Sequence, residues 1–87
     1  EDEGEGTFYL KSSLTIELTN EAANELYEKS KMIIRNEVLM ILSSLDKESM
    51  RGVKNKKSIQ TRLQKSINAR LNSNIIKNVY FTEFVTQ

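Results

Sequence analysis

The last ten residues of the chain, 78–87, constrain its fold more than any other stretch. They contain the densest run of β-branched and aromatic residues in the sequence, which is typical of a β-strand. By the period of two, one face of this strand carries Val79, Phe81 and Val85, and the other carries Tyr80 and Phe84. A strand that is apolar on both faces is usually covered on both sides, by helices or by another subunit. We therefore expect the rest of the chain to supply helices that pack on this strand.

A second strand is predicted at residues 7–18. Its apolar residues alternate with polar ones, and only Ser12 interrupts the apolar face, which consists of Phe8, Leu10, Leu14, Ile16 and Leu18. Clean alternation indicates one buried and one solvated face, and it favours an antiparallel or edge strand. Two long helices are predicted between the two strands, and this even number of chain reversals favours an antiparallel pair.

The first predicted helix begins at an N-cap supplied by Asn20 and runs to about Ser44. Its apolar residues recur at helical spacing. Residues 38–42 are apolar all round the helix, so we expect that end to be enclosed on most sides. Met32 and Leu39 lie together opposite the main stripe, and two interpretations stay open for them: a small satellite core, or a contact with another subunit.

A short turn and a second long helix are predicted next. Asp46 can cap a single turn at Lys47–Arg51, which Gly52 would end. Asn55 can cap a helix from about Lys56 to Asn72. The apolar stripe of this helix is only one residue wide and consists of Ile59, Leu63, Ile67 and Leu71. We therefore expect this helix to lie on the surface of the domain.

The composition excludes several kinds of functional site. The 87 residues include no cysteine and no histidine, which excludes a disulfide framework, a cysteine–histidine zinc site and a histidine-based catalytic triad. The three glycines lie far from the spacing of a phosphate-binding loop. We therefore predict no catalytic, cofactor-binding or metal-binding residue. The length fits one domain, residues 7–87, preceded by an acidic linker or turn at residues 1–6.

The charges are divided between two parts of the chain. Residues 1–28 carry eight acids and one lysine, a balance of −7, whereas residues 29–87 carry twelve basic residues and four acids, a balance of +8. A head-to-tail contact between copies would set one copy's acids against the next copy's bases. The candidate residues of that contact are Glu17, Glu21, Glu25, Glu28, Met32, Leu39, Lys54, Lys56, Lys57 and Arg62. Two solvated faces of a monomer would explain the same division.

The basic segment Lys47–Arg70 also permits a different function. It contains eight basic residues and one acid, so it could neutralise phosphates of a nucleic acid. However, no base-stacking aromatic residue is interleaved with these cations. The acid Glu83, which stands among the aromatic residues of the last strand, is interpreted as paired with a cation or reaching solvent rather than as catalytic.

Three segments together resemble the periplasmic domain of the flagellar basal-body-associated FliL family. They are Arg35–Ser44, Met50–Val53 and Lys77–Gln87, and they occur in the family's order and spacing. Within the last segment, Val79–Val85 is the most specific part. The motif residues expected to be structural are Arg35, Arg51, Gly52, Phe81, Glu83 and Phe84.

This resemblance implies both a fold and a role. The fold would be an α+β, two-layer domain similar to the stomatin/prohibitin (SPFH) fold, in the order strand, long helix, short turn, helix, strand, with the helices packed on a small sheet. A transmembrane helix and a first strand of the family would precede this chain. The role would be that of a scaffold on the periplasmic side of the bacterial inner membrane, at the flagellar basal body. The resemblance implies that such a scaffold would form rings around stator units of MotA and MotB and would stabilise or activate them to sustain torque, with no reaction, cofactor, small-molecule substrate or nucleic acid implied.

Overall fold

The computed structural model describes residues 8–87. The elements in these residues are strand β1 (Leu10–Leu18), helix α1 (Ala23–Lys29), helix α2 (Lys31–Ser43), a 3₁₀ turn (Glu48–Met50), helix α3 (Gly52–Leu71) and strand β2 (Ile76–Thr86). The predicted α+β class is therefore confirmed. The predicted acidic linker at residues 1–6, and the start of the first predicted strand at Thr7, lie outside the described residues.

The two strands pair directly and run antiparallel, as predicted. The pairing continues past the strand ends. Tyr9 and Gln87 exchange two backbone hydrogen bonds of 3.1 and 2.9 Å, and the Thr19 N–H donates to the carbonyl of Ile75 at 2.9 Å. The closing strand therefore spans the full length of β1 and provides the surface on which the helices pack.

A β-bulge at Thr82 changes which side chains of β2 face the core. Ser13 is opposite Glu83, but the next residue of β1 is opposite Phe81, so Thr82 has no partner of its own. An unpaired residue shifts the alternation of the strand by one. Phe84 consequently packs against the core, and Val85 is 46% exposed on the outer face. The prediction that Val85 shares a face with Val79 and Phe81 is wrong for this reason.

The hydrophobic core lies between the sheet and the three helices. The buried residues that form it are Ile34, Ile41, Met50, Ile59, Leu63, Ile67, Ile76 and Val79. The inward residues of β1, including Leu14 and Ile16, pack against them. The narrow stripe predicted for α3 is the centre of this core, because Leu63 and Ile67 have no exposed surface.

The first helix is interrupted at Ser30, which is buried. Its backbone leaves the helical region (φ −106°, ψ 7°), and its N–H donates to the carbonyl of Tyr27, three residues back, at 3.0 Å. This tight last turn ends α1, and α2 starts again with the Ile34 N–H donating to the Ser30 carbonyl at 2.9 Å. The prediction of one continuous helix to Ser44 is wrong, because one apolar stripe runs through both pieces and gives no sign of the break.

The far end of α2 is not enclosed within the described residues. Leu39 is 59% exposed and Met40 is 60% exposed, whereas the next residue, Ile41, is buried. The neighbouring elements cover only the side of α2 that carries Ile34 and Ile41. The predicted enclosure of residues 38–42 is therefore wrong, and so is the satellite core that was one interpretation of Met32 and Leu39.

The connection to α3 follows the prediction in part. The Oδ1 atom of Asp46 accepts the Ser49 N–H at 2.9 Å, which confirms Asp46 as the cap of the short turn. Gly52 adopts the left-handed conformation, φ 79°, which glycine tolerates without steric cost. Helix α3 begins at this glycine, so the predicted start at Lys56 is wrong. Asn55 is not its cap: it lies inside the first turns, and its Nδ2 donates to the carbonyl of Glu48 at 3.3 Å.

Candidate interaction surface

Three side-chain amides of α3 bind backbone groups of β2 at Ile76 and Phe81. The Oε1 atom of Gln60 accepts the Phe81 N–H at 2.8 Å, and the Nε2 of Gln64 donates to the carbonyl of Ile76 at 3.0 Å. Asn68, which is buried, both donates to that carbonyl and accepts the Ile76 N–H, each at 2.9 Å. Edge groups that are already hydrogen-bonded cannot template another strand. The spacing of these amides (i, i+4, i+8) beside the apolar stripe was the available signal, and sequence reasoning missed it.

The outer edge of β1 contrasts with that of β2, because it has no strand partner within residues 8–87. Beside it runs a groove of about 620 Å³ between β1 and the helices α1 and α2. The groove is lined mainly by apolar side chains, and Ser12, Lys31 and Arg35 are polar members of its lining; the apolar lining includes Leu14, Ile16, Met32, Ile34, Val38, Leu39 and Leu42. An open edge next to an apolar groove is a surface that suits an added strand.

The outer face of α2 carries an exposed apolar patch. We call it the α2 patch, and it consists of Met32, Ile33, Leu39 and Met40. Met32 is 84% exposed, the most of the four. Clusters of large apolar side chains on a surface mark contacts with other molecules more often than isolated ones do. The other interpretation of Met32 and Leu39, a contact with another subunit, stays a prediction.

The candidate acidic residues lie on two elements. Glu21 precedes α1, and Glu25 and Glu28 lie on it, and all three are exposed. Glu25 pairs with Lys29 at 3.4 Å and Glu28 pairs with Lys31 at 3.0 Å. Such exposed pairs are worth about 0–1 kcal/mol, so these carboxylates can exchange one partner for another at small cost.

Glu17 differs from the other three acids, because β2 holds it. Its Oε1 accepts hydrogen bonds from the Asn78 Nδ2 at 2.9 Å and from the Tyr80 hydroxyl at 3.1 Å, and its Oε2 lies 3.9 Å from the Lys77 Nζ. These interactions, the Asn78 bond most, lower the pKa of Glu17 below its usual 4.5. The hydrogen bond that Tyr80 donates to Glu17 raises the pKa of Tyr80. Glu17 therefore ties the two strands together across the outer face of the sheet.

Replacing Tyr80 with phenylalanine should raise the pKa of Glu17 towards 4.5, because one of the bonds that favour the carboxylate is lost. A depressed pKa contributes stability above pH 4.5, and that stability disappears as the pH falls through the lower folded pKa. The substitution should therefore reduce the acid sensitivity of folding in this range. An NMR titration of the Glu17 carboxyl carbon measures the shift, with Tyr9→Phe on the same face as control. An unchanged Glu17 pKa in the Tyr80 variant would exclude this account of the strand contact.

The candidate basic residues lie on α3. Lys54, Lys57 and Arg62 are exposed, and they form no ion pair within residues 8–87. Lys56 is different, because its Nζ donates to the carbonyl of Met50 at 3.0 Å and lies 4.9 Å from the centre of the Phe84 ring. Lys56 is thus held inside the domain by a hydrogen bond and a cation–π contact.

The predicted motif residues lie on β2, at the start of α3 and beside the β1 groove. Phe81 and Phe84 pack edge to face with their centroids 4.8 Å apart, and Glu83 accepts the Ser13 hydroxyl at 3.2 Å and lies 4.0 Å from the Lys11 Nζ. The interpretation of Glu83 as paired with a cation is therefore confirmed. Arg51 pairs with Glu48 at 3.7 Å at the start of α3, and Arg35 lines the groove beside β1.

Neither a metal site nor a membrane span occurs in the part of the chain that the structure describes. No group of three or more potential metal-ligating side chains comes together in it. No helix in it has both the length and the apolar character needed to cross a bilayer.

Comparison with known proteins identifies the relatives of this chain. A family model described as "Flagellar basal body-associated protein FliL" matches residues 1–87, the whole sequence. The chain belongs to the FliL family. A curated relative, the flagellar protein FliL of Aquifex aeolicus (strain VF5), is 32% identical over 83 residues. This alignment covers 95% of the chain and 52% of the relative, so the chain spans about half the length of the curated protein that it matches.

The FliL assignment confirms the resemblance seen in the three sequence segments. It gives no support to the alternative that Lys47–Arg70 binds nucleic acid. The α3 cations instead belong to a domain of a flagellar basal-body-associated family.

Proposed function

We propose that this chain is the periplasmic domain of a non-enzymatic accessory scaffold of the flagellar motor. In this proposal it associates with stator units built of MotA and MotB and stabilises or activates them, so that the motor sustains torque. The observation that carries the proposal is the family match over the entire chain. The exposed α2 patch, and the cations of α3 that form no ion pair within residues 8–87, support it, because a scaffold needs surfaces of this kind for contacts.

We also propose the setting in which the domain works. It lies on the periplasmic side of the inner membrane, held by a transmembrane helix of the longer protein, and its fold is of the stomatin/SPFH type. The first strand of the family would pair with the open edge of β1 and cover the part of the adjacent groove that Leu14, Ile16 and Leu42 line. The amides of Gln60, Gln64 and Asn68 favour this edge, because they already occupy backbone groups of Ile76 and Phe81 on β2.

Association into a ring is proposed to occur head to tail. A two-fold contact would set the acids of α1 against themselves, whereas a head-to-tail contact sets them against the bases of α3 and closes if the rotation allows. Glu17 and Lys56 are held within the domain, so the contact is carried by Glu21, Glu25 and Glu28 and by Lys54, Lys57 and Arg62. The charges would set the orientation, and the α2 patch would supply most of the affinity.

Charge reversal tests this arrangement. The pair Glu25→Lys and Glu28→Lys should reduce the yield of stator-associated rings about tenfold, since each exposed pair is worth about 0–1 kcal/mol and the reversal adds repulsion. Adding Lys54→Glu and Lys57→Glu to the same chain should restore part of the yield. Cross-linking and native electrophoresis of the full-length protein in membranes measure it, with Glu48→Lys as control. Intact rings after the acidic reversal would exclude the electrostatic orientation.

Motility under load tests the proposed role itself. A strain that lacks the gene for the full-length protein should swim more slowly than wild type in viscous medium, and the wild-type gene should restore its speed. A motor that sustains load equally well without the gene would contradict the proposed role. Stator protein levels, compared in the same strains, separate lost activation from lost expression.

A further inference from the structure

The three methionines of the chain differ sharply in their exposure to solvent. Met32 is 84% exposed and Met40 is 60% exposed, whereas Met50 is 3% exposed and belongs to the core. The sequence contains no cysteine, so these thioethers hold its only sulfur atoms. Methionine sulfoxide is a common product of oxidation, and exposed sulfur reacts more readily than buried sulfur. Met32 and Met40 therefore carry the sulfur atoms that an oxidant in solution contacts.

The two exposed methionines lie on the surface to which most of the affinity between copies is assigned. Both belong to the α2 patch and are eight residues apart on one helix. Eight residues are slightly more than two helical turns, so both side chains project from the same side of α2. The other two members of the patch, Ile33 and Leu39, contain no sulfur. Oxidation of the methionines alone would change the polarity of two of the four residues that form the patch.

We propose that Met32 and Met40 are oxidation sites, and that their modification prevents the head-to-tail contact. A two-electron oxidant, hypochlorous acid or a peroxide, transfers one oxygen atom to the lone pair of each sulfur. The thioether is oxidised to the sulfoxide and the oxidant is reduced, so hypochlorous acid leaves chloride and a proton, and hydrogen peroxide leaves water. No bond of the side chain breaks, so a methionine sulfoxide reductase can reverse the change.

The sulfoxide acts on association rather than on folding. It converts a flexible apolar side chain into a polar one. In a separate copy the new S–O group is solvated, because both positions are exposed. In the assembled ring the same group would have to leave water inside an apolar contact, which weakens association. The inference rests on the proposed self-association and adds its regulation by oxidants, in a compartment that is itself oxidising.

Site-resolved oxidation tests the two sites without reference to assembly. Full-length protein is diluted in detergent until it migrates as single copies and is treated with hydrogen peroxide. Met32 and Met40 should react at least about tenfold faster than Met50, because a buried sulfur reacts only after local opening. Equal rates at the three methionines would overturn the proposal. Trypsin places each methionine on its own peptide for mass spectrometry, since it cleaves at four basic residues around them: Lys31, Arg35, Lys47 and Arg51.

Two paired variants connect these sites to assembly. Met32→Leu with Met40→Leu keeps the apolar character, the approximate volume and the helix propensity of the patch but removes its sulfur. Peroxide should lower the assembled fraction of the wild-type protein at least about tenfold and leave that of the leucine variant unchanged. Met32→Gln with Met40→Gln, in which an amide imitates the polarity of the sulfoxide, should assemble poorly without any oxidant. Native electrophoresis measures assembly, and circular dichroism checks that each protein stays folded.

The outcomes separate this proposal from the self-association on which it rests. If peroxide reduces the assembly of the leucine variant as much as that of the wild-type protein, the effect arises elsewhere and the proposal is wrong, while the proposed ring stands. Oxidised wild-type protein that assembles fully leads to the same conclusion. Wild-type protein that fails to assemble before oxidation would overturn both. Treatment of the oxidised wild-type protein with a methionine sulfoxide reductase should restore assembly, and a loss that persists after both sulfoxides are reduced would also overturn the proposal.

Discussion

Replacing Asn68 with alanine is expected to lower the free energy of unfolding by about 3 kcal/mol. Asn68 holds the backbone of Ile76 by two hydrogen bonds of 2.9 Å, and both residues are buried. In the variant, the carbonyl of Ile76 would keep the hydrogen bond from Gln64. The N–H of Ile76, which donates to Asn68, would lose its partner. Losing the bonds and leaving a buried donor unsatisfied costs about 2–4 kcal/mol together.

Chemical denaturation of the protein and of the Asn68→Ala variant measures this loss of stability. For a domain of this size, about 3 kcal/mol corresponds to a fall in Tm of more than about 10 °C. Asn74→Ala, an exposed asparagine in the loop before β2, is the matched control and should change stability by less than about 0.5 kcal/mol. Equal stability of the two variants would mean that the amides of α3 do not hold the edge of β2.

Replacing Met32 with glutamate and Met40 with lysine is expected to abolish association while the domain stays folded. Both methionines are exposed members of the α2 patch, so little buried area is lost within the monomer. Glutamate and lysine have helix propensities close to that of methionine, and the net charge is unchanged. Two charged groups in the apolar part of a contact would leave unpaired charges buried on assembly, which costs several kcal/mol.

The matched control places a similar pair on the outer face of the sheet. Tyr9→Lys with Val85→Glu also exchanges two exposed apolar side chains for opposite charges, and the new acid would stand opposite Lys11. Circular dichroism checks folding, and native electrophoresis of the full-length protein in detergent measures assembly. Assembly that survives the α2 substitutions, or that is lost equally in the control, would exclude the α2 patch as the contact.

The order of elements was predictable because each one has its own periodicity. The alternation of residues 8–18 and the β-branched run at the end of the chain give two strands, and the 3.6-residue stripes give the helices between them. The charge pattern also gave the contrast between the acids of α1 and the bases of α3. These signals are local, so they can be read without the tertiary structure.

The features that could not be predicted depend on contacts between distant residues. The bulge at Thr82 exists only in the register with Ser13 and Leu14, and without it the faces of Phe84 and Val85 are assigned the wrong way round. The break at Ser30 lies within a continuous apolar stripe. The roles of Glu17 and Lys56 depend on partners at Tyr80 and Met50, so their charge alone suggested free surface residues.

The exposed end of α2 is informative in a different way. A run of five apolar residues, 38–42, indicates a helix that is covered on most sides, but within residues 8–87 Leu39 and Met40 are exposed and Ile41 is buried. The prediction of enclosure is wrong for residues 8–87, and the exposed residues Leu39 and Met40 lie where a neighbouring copy is proposed to bind.

Association with the stator is the central functional claim, and co-purification tests it most directly. The full-length protein, carrying an affinity tag, is isolated from membranes of motile cells after mild cross-linking, and MotA and MotB are quantified in the eluate. We predict that MotB is recovered with the wild-type protein and with the Tyr9→Lys, Val85→Glu control, and that it falls to background with the Met32→Glu, Met40→Lys variant. Full recovery of the tagged wild-type protein without MotB would contradict the account.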